Sequence, residues 1–148
     1  MDKEFYTVEK EFKVEFYDVD SMDIAYHGNY VRFMEVGRCA LLDEIGYNYL
    51  SMRNEGYAFP VVDIKLRYLK SLKFNEVAKI RSSVTEFENC LKIKYEIYSS
   101  NGDLVTKAES TQMVVKVATG ETMYVCPETF IEKMKAAMAS KKMNLPVI

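Results

Sequence analysis

The sequence has few residues that could bind a metal or form disulfides. It contains one histidine, His27, and three widely separated cysteines, Cys39, Cys90 and Cys126. No spacing among them is typical of a zinc site, so no metal site is predicted. An odd number of distant cysteines also argues against a disulfide framework and predicts free, buried thiols in a reducing cytosol.

The sequence also lacks a long apolar run, a strong charge bias and a linker. No stretch approaches the roughly 18 apolar residues of a membrane span, and the charged start at Met1–Glu4 argues against a signal peptide. The net charge of −2 excludes a general nucleic-acid binder. With 49% hydrophobic residues and no repeat or low-complexity segment, the 148 residues are predicted to form one cytoplasmic domain over residues 1–148.

The first half of the chain shows a strand pattern followed by a helix pattern. Apolar and polar residues alternate over 12–17, which predicts a first strand. From 29 to 45 the apolar residues recur at helical spacing, and Gly46 follows where a C-terminal cap glycine is typical. Gly37 costs the helix about 1 kcal/mol of propensity, so it predicts a close approach of the helix to a flat neighbour.

After the helix the apolar period changes to two. The alternation predicts strands over 62–68, 78–84 and 91–97, and one long final strand over 104–117. Pro127 then opens a C-terminal helix with one apolar face, formed by Phe130, Ile131, Met134, Ala137 and Met138. These elements predict an α+β fold, in which an antiparallel sheet covers one long helix and a short helix ends the chain.

Candidate catalytic groups are concentrated just before the predicted long helix. Asp18 and Asp20 are followed by His27 and by Gly28-Asn29. A carboxylate at this place can attack a carbonyl or activate a water, while free N–H groups at the helix start hold the oxyanion. The N–H groups of His27 and Gly28 are the predicted donors, and Asn29 is most simply the N-cap. The imidazole can bind the carbonyl, assist the leaving group or orient a water.

This segment resembles the signature of hotdog-fold acyl-CoA thioesterases. The pattern Asp-x-Asp-x-x-Gly-x-x-Tyr-His-x-Asn-Tyr followed by a helix is similar to residues 18–30, most closely in the 4-hydroxybenzoyl-CoA and Tol–Pal-associated groups. The resemblance implies that Asp20 is the catalytic carboxylate and that His27 acts beside it, while Asp18 carries no chemistry. It also implies a sheet wrapped around a central helix, and homodimers with active sites between subunits, many of them paired into tetramers.

The resemblance further suggests how the substrate is held. The predicted substrate-binding residues are Tyr26, Gly28, Asn29, Tyr30, Lys70 and Lys73. Lysines can bind the phosphates of coenzyme A. Core or pocket wall is the alternative for the tyrosines, and a solvated strand face is the alternative for the lysines. No metal or redox cofactor is expected, and coenzyme A enters only as part of the substrate and product.

One residue departs from the signature. Asp23 stands where the family usually has glycine, and glycine suits a turn with positive φ. Aspartate tolerates that conformation at some cost, so the turn is expected to form, while a second acid bears on the level of activity. Asp18 and Asp23 can also be simple turn formers. The predicted function is hydrolysis of acyl-CoA thioesters, and the alternatives are a hotdog dehydratase and a non-catalytic acyl-CoA-binding module.

Overall fold

A computed structural model of the chain describes residues 3–143, so the charged start at Met1 and Asp2 and the last five residues of the predicted domain lie outside it. Within this range the strands are β1 (Tyr6–Lys13), β2 (Tyr57–Ala58), β3 (Val61–Tyr68), β4 (Val77–Glu86), β5 (Leu91–Tyr98), β6 (Leu104–Gln112), β7 (Val114–Lys116) and β8 (Thr122–Met123). The helices of the same range are α1 (Tyr30–Ile45), α2 (Tyr49–Asn54) and α3 (Glu128–Met143).

The larger sheet is antiparallel throughout, with the strand order β1-β4-β5-β6-β3, and the smaller sheet has the order β2-β7-β8. Helix α1 packs on one face of the larger sheet, against β1, β4 and β5. Helix α3 begins after Pro127 as predicted and buries Phe130 and Met134 completely. The predicted α+β fold, with a sheet covering one long helix, is therefore confirmed. No helix among residues 3–143 combines the length and the apolar character needed to cross a membrane.

Two glycines shape α1 as predicted. A Cβ atom built on Gly37 would lie 2.4 Å from Ser82 Oγ and 3.1 Å from Ile80 Cδ1, both on β4. The helix approaches the sheet this closely because residue 37 has no side chain, which confirms the predicted close approach. Gly46 ends the helix with φ of 80°, a left-handed conformation that glycine adopts without steric cost.

The first strand ends earlier than predicted. It runs over Tyr6–Lys13, so the strand prediction is wrong for residues 14–17. The N–H of Glu15 donates to Asp18 Oδ2 at 2.8 Å, which closes a 3₁₀ turn over Phe16–Asp18. This turn buries the aspartate and leaves Phe16 77% exposed, the reverse of what apolar alternation predicts.

The predicted final strand is two strands that belong to different sheets. Strand β6 ends at Gln112 and β7 begins at Val114, because the N–H of Met113 donates to Pro60 O at 3.1 Å instead of continuing the ladder. The amide of Gln112 also donates to Phe59 O at 2.6 Å. The chain therefore crosses from the larger to the smaller sheet at Met113. Helix α2 and strands β2 and β8 were not predicted.

The three cysteines are free thiols in different surroundings. Cys126 is buried, and burial raises the pKa of its thiol to about 12. Cys90 is half-buried. Cys39 is exposed, so the prediction of a buried thiol is wrong there, because residue 39 lies on the side of α1 that faces away from the sheet.

Candidate functional site

Asp20 lies in the first arm of a tight hairpin formed by residues 19–25, directly before its tip. The ends of this hairpin pair as an isolated antiparallel bridge, and the N–H of Asp20 donates to Ile24 O at 2.9 Å. Asp20 Oδ1 accepts the N–H groups of Met22 at 2.8 Å and Ile24 at 3.4 Å. Within residues 3–143 no group donates to Oδ2. The side chain is thus oriented by one oxygen and presents the other to solvent.

Asp23 closes the hairpin in the conformation that glycine has in the related signature. Its φ is 60°, its N–H donates to Asp20 O at 3.1 Å, and its carbonyl accepts the N–H of Phe74 at 3.0 Å. The expectation that the turn forms despite the aspartate is confirmed. The same hydrogen bond to Phe74 attaches the hairpin to the connection between β3 and β4.

His27 and Gly28 begin the helical segment. Residues His27–Asn29 form a 3₁₀ turn that runs directly into α1. The N–H of Asn29 donates to Tyr26 O at 2.9 Å, whereas the N–H groups of His27 and Gly28 have no acceptor in the described part of the chain. These are the two donors that the sequence predicted for an oxyanion.

Asn29 occupies the predicted N-cap position of α1, but within residues 3–143 its side chain makes no capping hydrogen bond. Its backbone is helical, with φ of −75° and ψ of −13°, because the 3₁₀ turn extends the helical segment toward the N-terminus. Its side-chain amide instead donates to Asp18 O at 2.8 Å. This residue therefore ties the start of the helix to the base of the Asp20 hairpin.

Aromatic rings surround His27. The Tyr26 ring lies 4.3 Å from the imidazole centroid and covers Gly28, where a Cβ would come within 2.6 Å of that ring. The Tyr68 hydroxyl donates to His27 O at 3.0 Å, and its ring stands edge-on to the imidazole at 6.4 Å. Sequence reasoning treated Tyr68 only as a strand residue. Its place at the end of β3, just before the lysine-bearing connection, was the available signal.

Tyr30 faces inward. It is 2% exposed, its hydroxyl accepts the N–H of Leu72 at 3.3 Å, and burial raises the pKa of its phenol. The alternative interpretation of Tyr30 as a core residue is therefore confirmed, and its hydroxyl holds the connection between β3 and β4 against α1.

The two candidate lysines differ in their positions relative to the hairpin. Lys73 pairs with Ile24 as an isolated antiparallel bridge, which places it directly beside the Asp20 turn. The ammonium of Lys70 binds Asp103 at 3.1 Å, away from the hairpin. The structure thus brings the backbone of Lys73, more directly than that of Lys70, to the candidate site.

Asp18 has a role that neither the spacing nor the resemblance indicated. It is 1% exposed and its carboxylate is ion-paired with Arg32 on the first turn of α1. The predicted role as a turn former is correct for its 3₁₀ turn. The burial and the ion pair could not be deduced, because Asp18 and Arg32 are brought together only when the chain folds.

An apolar cavity of about 760 Å³ lies between α1, α2 and the segment before β3. Neither Asp20 nor His27 lines it; its apolar lining includes Leu42, Tyr49, Leu50, Met52, Phe59 and Val115. Its volume is in the range of small-molecule pockets. Among residues 3–143 no group of three His, Cys, Asp or Glu side chains is arranged to hold a metal ion.

Comparisons with known proteins agree with this fold. A family model described as Thioesterase-like superfamily matches residues 14–143, a range that contains the hairpin, the 3₁₀ turn and α1. The chain is 37% identical over 107 residues to a Bacillus subtilis (strain 168) protein named "Putative acyl-CoA thioesterase YneP", covering 72% of this chain and 78% of that protein.

Two solved structures share the fold over nearly all of the chain. A DHNA-CoA thioesterase from Staphylococcus aureus superposes with a TM-score of 0.81 at 25% identity, covering 95% of this chain and 97% of that one. A 1,4-dihydroxy-2-naphthoyl-CoA thioesterase from Synechocystis gives a TM-score of 0.80 at 14% identity, covering 95% of this chain and 100% of that one. The second likeness concerns the fold alone.

Proposed function

The chain belongs to the thioesterase-like superfamily and is a thioesterase, and on that premise we propose that it hydrolyses acyl-CoA thioesters to a free acid and coenzyme A. One observation carries the proposal. Among residues 3–143, Asp20 Oδ2 has no donor and the N–H groups of His27 and Gly28 have no acceptor, and all three groups lie at one hairpin–helix junction. A carboxylate and two oxyanion donors are the groups that hydrolysis of a thioester requires.

The carboxylate of Asp20 supports two routes. As nucleophile, Oδ2 attacks the thioester carbon, the C–S bond breaks, and water then cleaves the mixed anhydride and restores Asp20. As general base, Oδ2 takes a proton from a water that attacks the same carbon, and the proton goes on to the leaving thiolate. In both routes a tetrahedral oxyanion forms. The N–H groups of His27 and Gly28 and the dipole of α1 stabilise it, and one such donor is worth about 3 kcal/mol of barrier.

The remaining predicted residues have supporting roles in this proposal. The imidazole of His27, held against Tyr26, binds the carbonyl, protonates the leaving thiolate or orients the water. Tyr26 and Gly28 line the proposed site beside the imidazole, with the Tyr26 ring lying over Gly28. Lys73, with Lys70 further along, binds the phosphates of coenzyme A. No metal or redox cofactor takes part, and coenzyme A is substrate and product only.

The test is thiol release from a panel of aliphatic and aromatic acyl-CoAs of increasing size, because the residues of the proposed site are compatible with either type of acyl group. We expect one free thiol and one free acid for each thioester consumed. An enoyl product without free thiol would identify a dehydratase instead. Tight binding of coenzyme A without thiol release, even at high protein concentration, would identify a binding module.

We further propose that the protein forms a homodimer through β3, alone or as half of a tetramer. Strand β3 is an edge of the larger sheet and exposes Val62 (57%) and Ile64 (37%). The opposite edge, β1, carries a run of charges over Glu9–Lys13, which discourages edge pairing. A second copy of β3 would cover the apolar edge and bring two sites together.

The three free thiols favour a cytoplasmic location.

The sequence of β3 favours one register for this pairing. In a two-fold antiparallel pair of β3 strands, even-numbered residues face even-numbered residues and odd-numbered residues face odd-numbered ones. The two-fold axis therefore passes between the two copies of a single residue. An axis through Ile64 places Asp63 opposite Lys65 of the partner subunit, twice. An axis through Lys65 or Asp63 places like charges face to face, and one through Leu66 places Lys65 opposite Arg67. We therefore propose the Ile64 register.

Reversing one charge should weaken the dimer, and reversing both should restore it. D63K places two lysines opposite each other and is expected to raise the dimer Kd roughly 10- to 30-fold. The double variant D63K/K65D recreates both opposite-charge pairs and should return the Kd to near that of the wild type. Sedimentation equilibrium measures this, with E11K on β1 as the control. A double variant as weak as D63K would exclude the Ile64 register.

A further inference from the structure

We propose that Asp18 is a positioning residue, whose buried carboxylate, paired with Arg32, sets the placement of the Asp20 carboxylate relative to the N–H groups of His27 and Gly28. The inference rests on the proposed function. It assigns a role to the first acid of the signature, to which the resemblance gives no chemistry.

The Asp18 side chain joins the chain before the hairpin to the helix after it. It is 1% exposed, and its Oδ2 accepts the N–H of Glu15 at 2.8 Å. Its Oδ1 is ion-paired with Arg32, which lies in the first turn of α1. A carboxylate buried to this extent requires a cationic or hydrogen-bonding partner, so the pair holds the hairpin base to α1.

The Asp18 carbonyl binds the two residues that flank the oxyanion donors. It accepts the N–H of Tyr26 at 2.9 Å and the side-chain amide of Asn29 at 2.8 Å. His27 and Gly28 lie between these two contacts, and Asp20 lies two residues after Asp18. One residue therefore contacts both sides of the proposed site, and a shift at Asp18 moves the nucleophile and the donors relative to each other.

Arg32 is itself held from the outside. Its guanidinium lies 5.5 Å from the Tyr17 ring centroid and 5.4 Å from that of Phe33. Such cation–π contacts restrict a side chain that is 45% exposed. Tyr17, which the alternation places on the polar side of the predicted strand, is exposed and contacts Arg32 from the solvent side.

Removing the charge at either end of the pair should slow catalysis more than it weakens binding. D18N keeps the size of the side chain and an oxygen for the Glu15 N–H, but loses the ion pair. We expect kcat to fall roughly 10- to 100-fold, as small misplacements of reacting groups do, with KM changed by less than about threefold. R32Q should lower kcat by a similar factor. The double variant D18N/R32Q should have a kcat no lower than that of either single variant, because the same ion pair is lost in all three. R32K keeps the positive charge and should have a higher kcat than R32Q.

Hydrogen exchange provides a readout that does not need activity. In D18N the N–H of Tyr26, bound to Asp18 O, and that of Met22, in the hairpin, should exchange faster, while α3 keeps its protection. The control I97V removes a methylene from a fully buried residue of β5. It lowers stability without touching the hairpin, and its kcat should match the wild type.

The outcomes separate this inference from the proposed function. Wild-type kcat in D18N, or an equal loss of kcat in I97V, would overturn the positioning role. A wild-type protein that releases no thiol would overturn the proposed function. In that case hydrogen exchange decides the role of Asp18: faster exchange at Tyr26 and Met22 in D18N would support it, and unchanged exchange would overturn it.

Discussion

The variant D20N is expected to lose about 10²- to 10⁴-fold in kcat toward every acyl-CoA that the wild type hydrolyses. This corresponds to about 3 to 5 kcal/mol of transition-state stabilisation. An asparagine can neither attack the thioester carbon nor take a proton from water at neutral pH. Its amide oxygen can still accept the N–H groups of Met22 and Ile24, so the hairpin is kept and the charge alone is lost. KM should change little, because the proposed contacts to the phosphates of coenzyme A are made by Lys70 and Lys73 and not by Asp20.

The neighbouring acid provides a matched control. Asp23 lies in the same exposed hairpin, and asparagine tolerates its φ of 60° as well as aspartate does. D23N should therefore keep kcat within about twofold of the wild type, since a substitution there leaves the attacking oxygen in place. Thiol release under saturating substrate measures both variants. Equal rates for D20N and the wild type, or a loss confined to D23N, would remove Asp20 from the mechanism.

The same protein can distinguish the two routes. In heavy-oxygen water, a single turnover through a mixed anhydride transfers label to Asp20 whenever water attacks the aspartyl carbonyl. The general-base route leaves the carboxylate unlabelled. Mass spectrometry of the peptide that contains residue 20, with D23N as a parallel sample, reads the result. The proposed hydrolysis holds in either case, so this experiment concerns the route and not the reaction.

Elements with a long, regular apolar period were predictable from the sequence. Helix α1 and its end at Gly46 followed from spacing and from glycine chemistry, and the close approach at Gly37 followed from the cost of a glycine inside a helix. The strands β4 and β5 followed from alternation, because each has one face in the core. These features are determined by residues close together in the sequence, so the sequence alone predicts them.

Features that depend on contacts distant in sequence were not predictable. The apolar alternation continues to residue 17, past the end of β1 at Lys13, and it gives no sign of the 3₁₀ turn that Asp18 closes or of the buried ion pair between Asp18 and Arg32. The break at Met113 depends on a hydrogen bond to Pro60, some fifty residues earlier. The link between Tyr68 and the carbonyl of His27 is likewise long-range. The candidate site could be described in full only by combining the sequence signature, the local turns and the tertiary contacts.

Filling the space at Gly37 is expected to be the most damaging single change to stability. G37V places a branched side chain where even a Cβ would lie 2.4 Å from Ser82 Oγ and 3.1 Å from Ile80 Cδ1. Overpacking of this kind costs about 3 kcal/mol, which lowers the Tm of a chain of this size by roughly 10 °C. The better helix propensity of valine over glycine, about 0.5 kcal/mol, offsets little of it. Chemical denaturation and calorimetry measure the loss.

A double-mutant cycle tests whether the cause is the contact with β4. Ser82 is fully buried, and its hydroxyl has no hydrogen-bond partner within residues 3–143, so S82A alone should change the free energy of unfolding by less than about 0.5 kcal/mol. G37A should cost about 2 kcal/mol, and G37A/S82A should recover most of that, because the nearest atom is gone. Additive costs in the double variant would contradict the steric explanation. The free energy of G37A would then reflect a different arrangement of α1 on the sheet, in which residue 37 does not face Ser82.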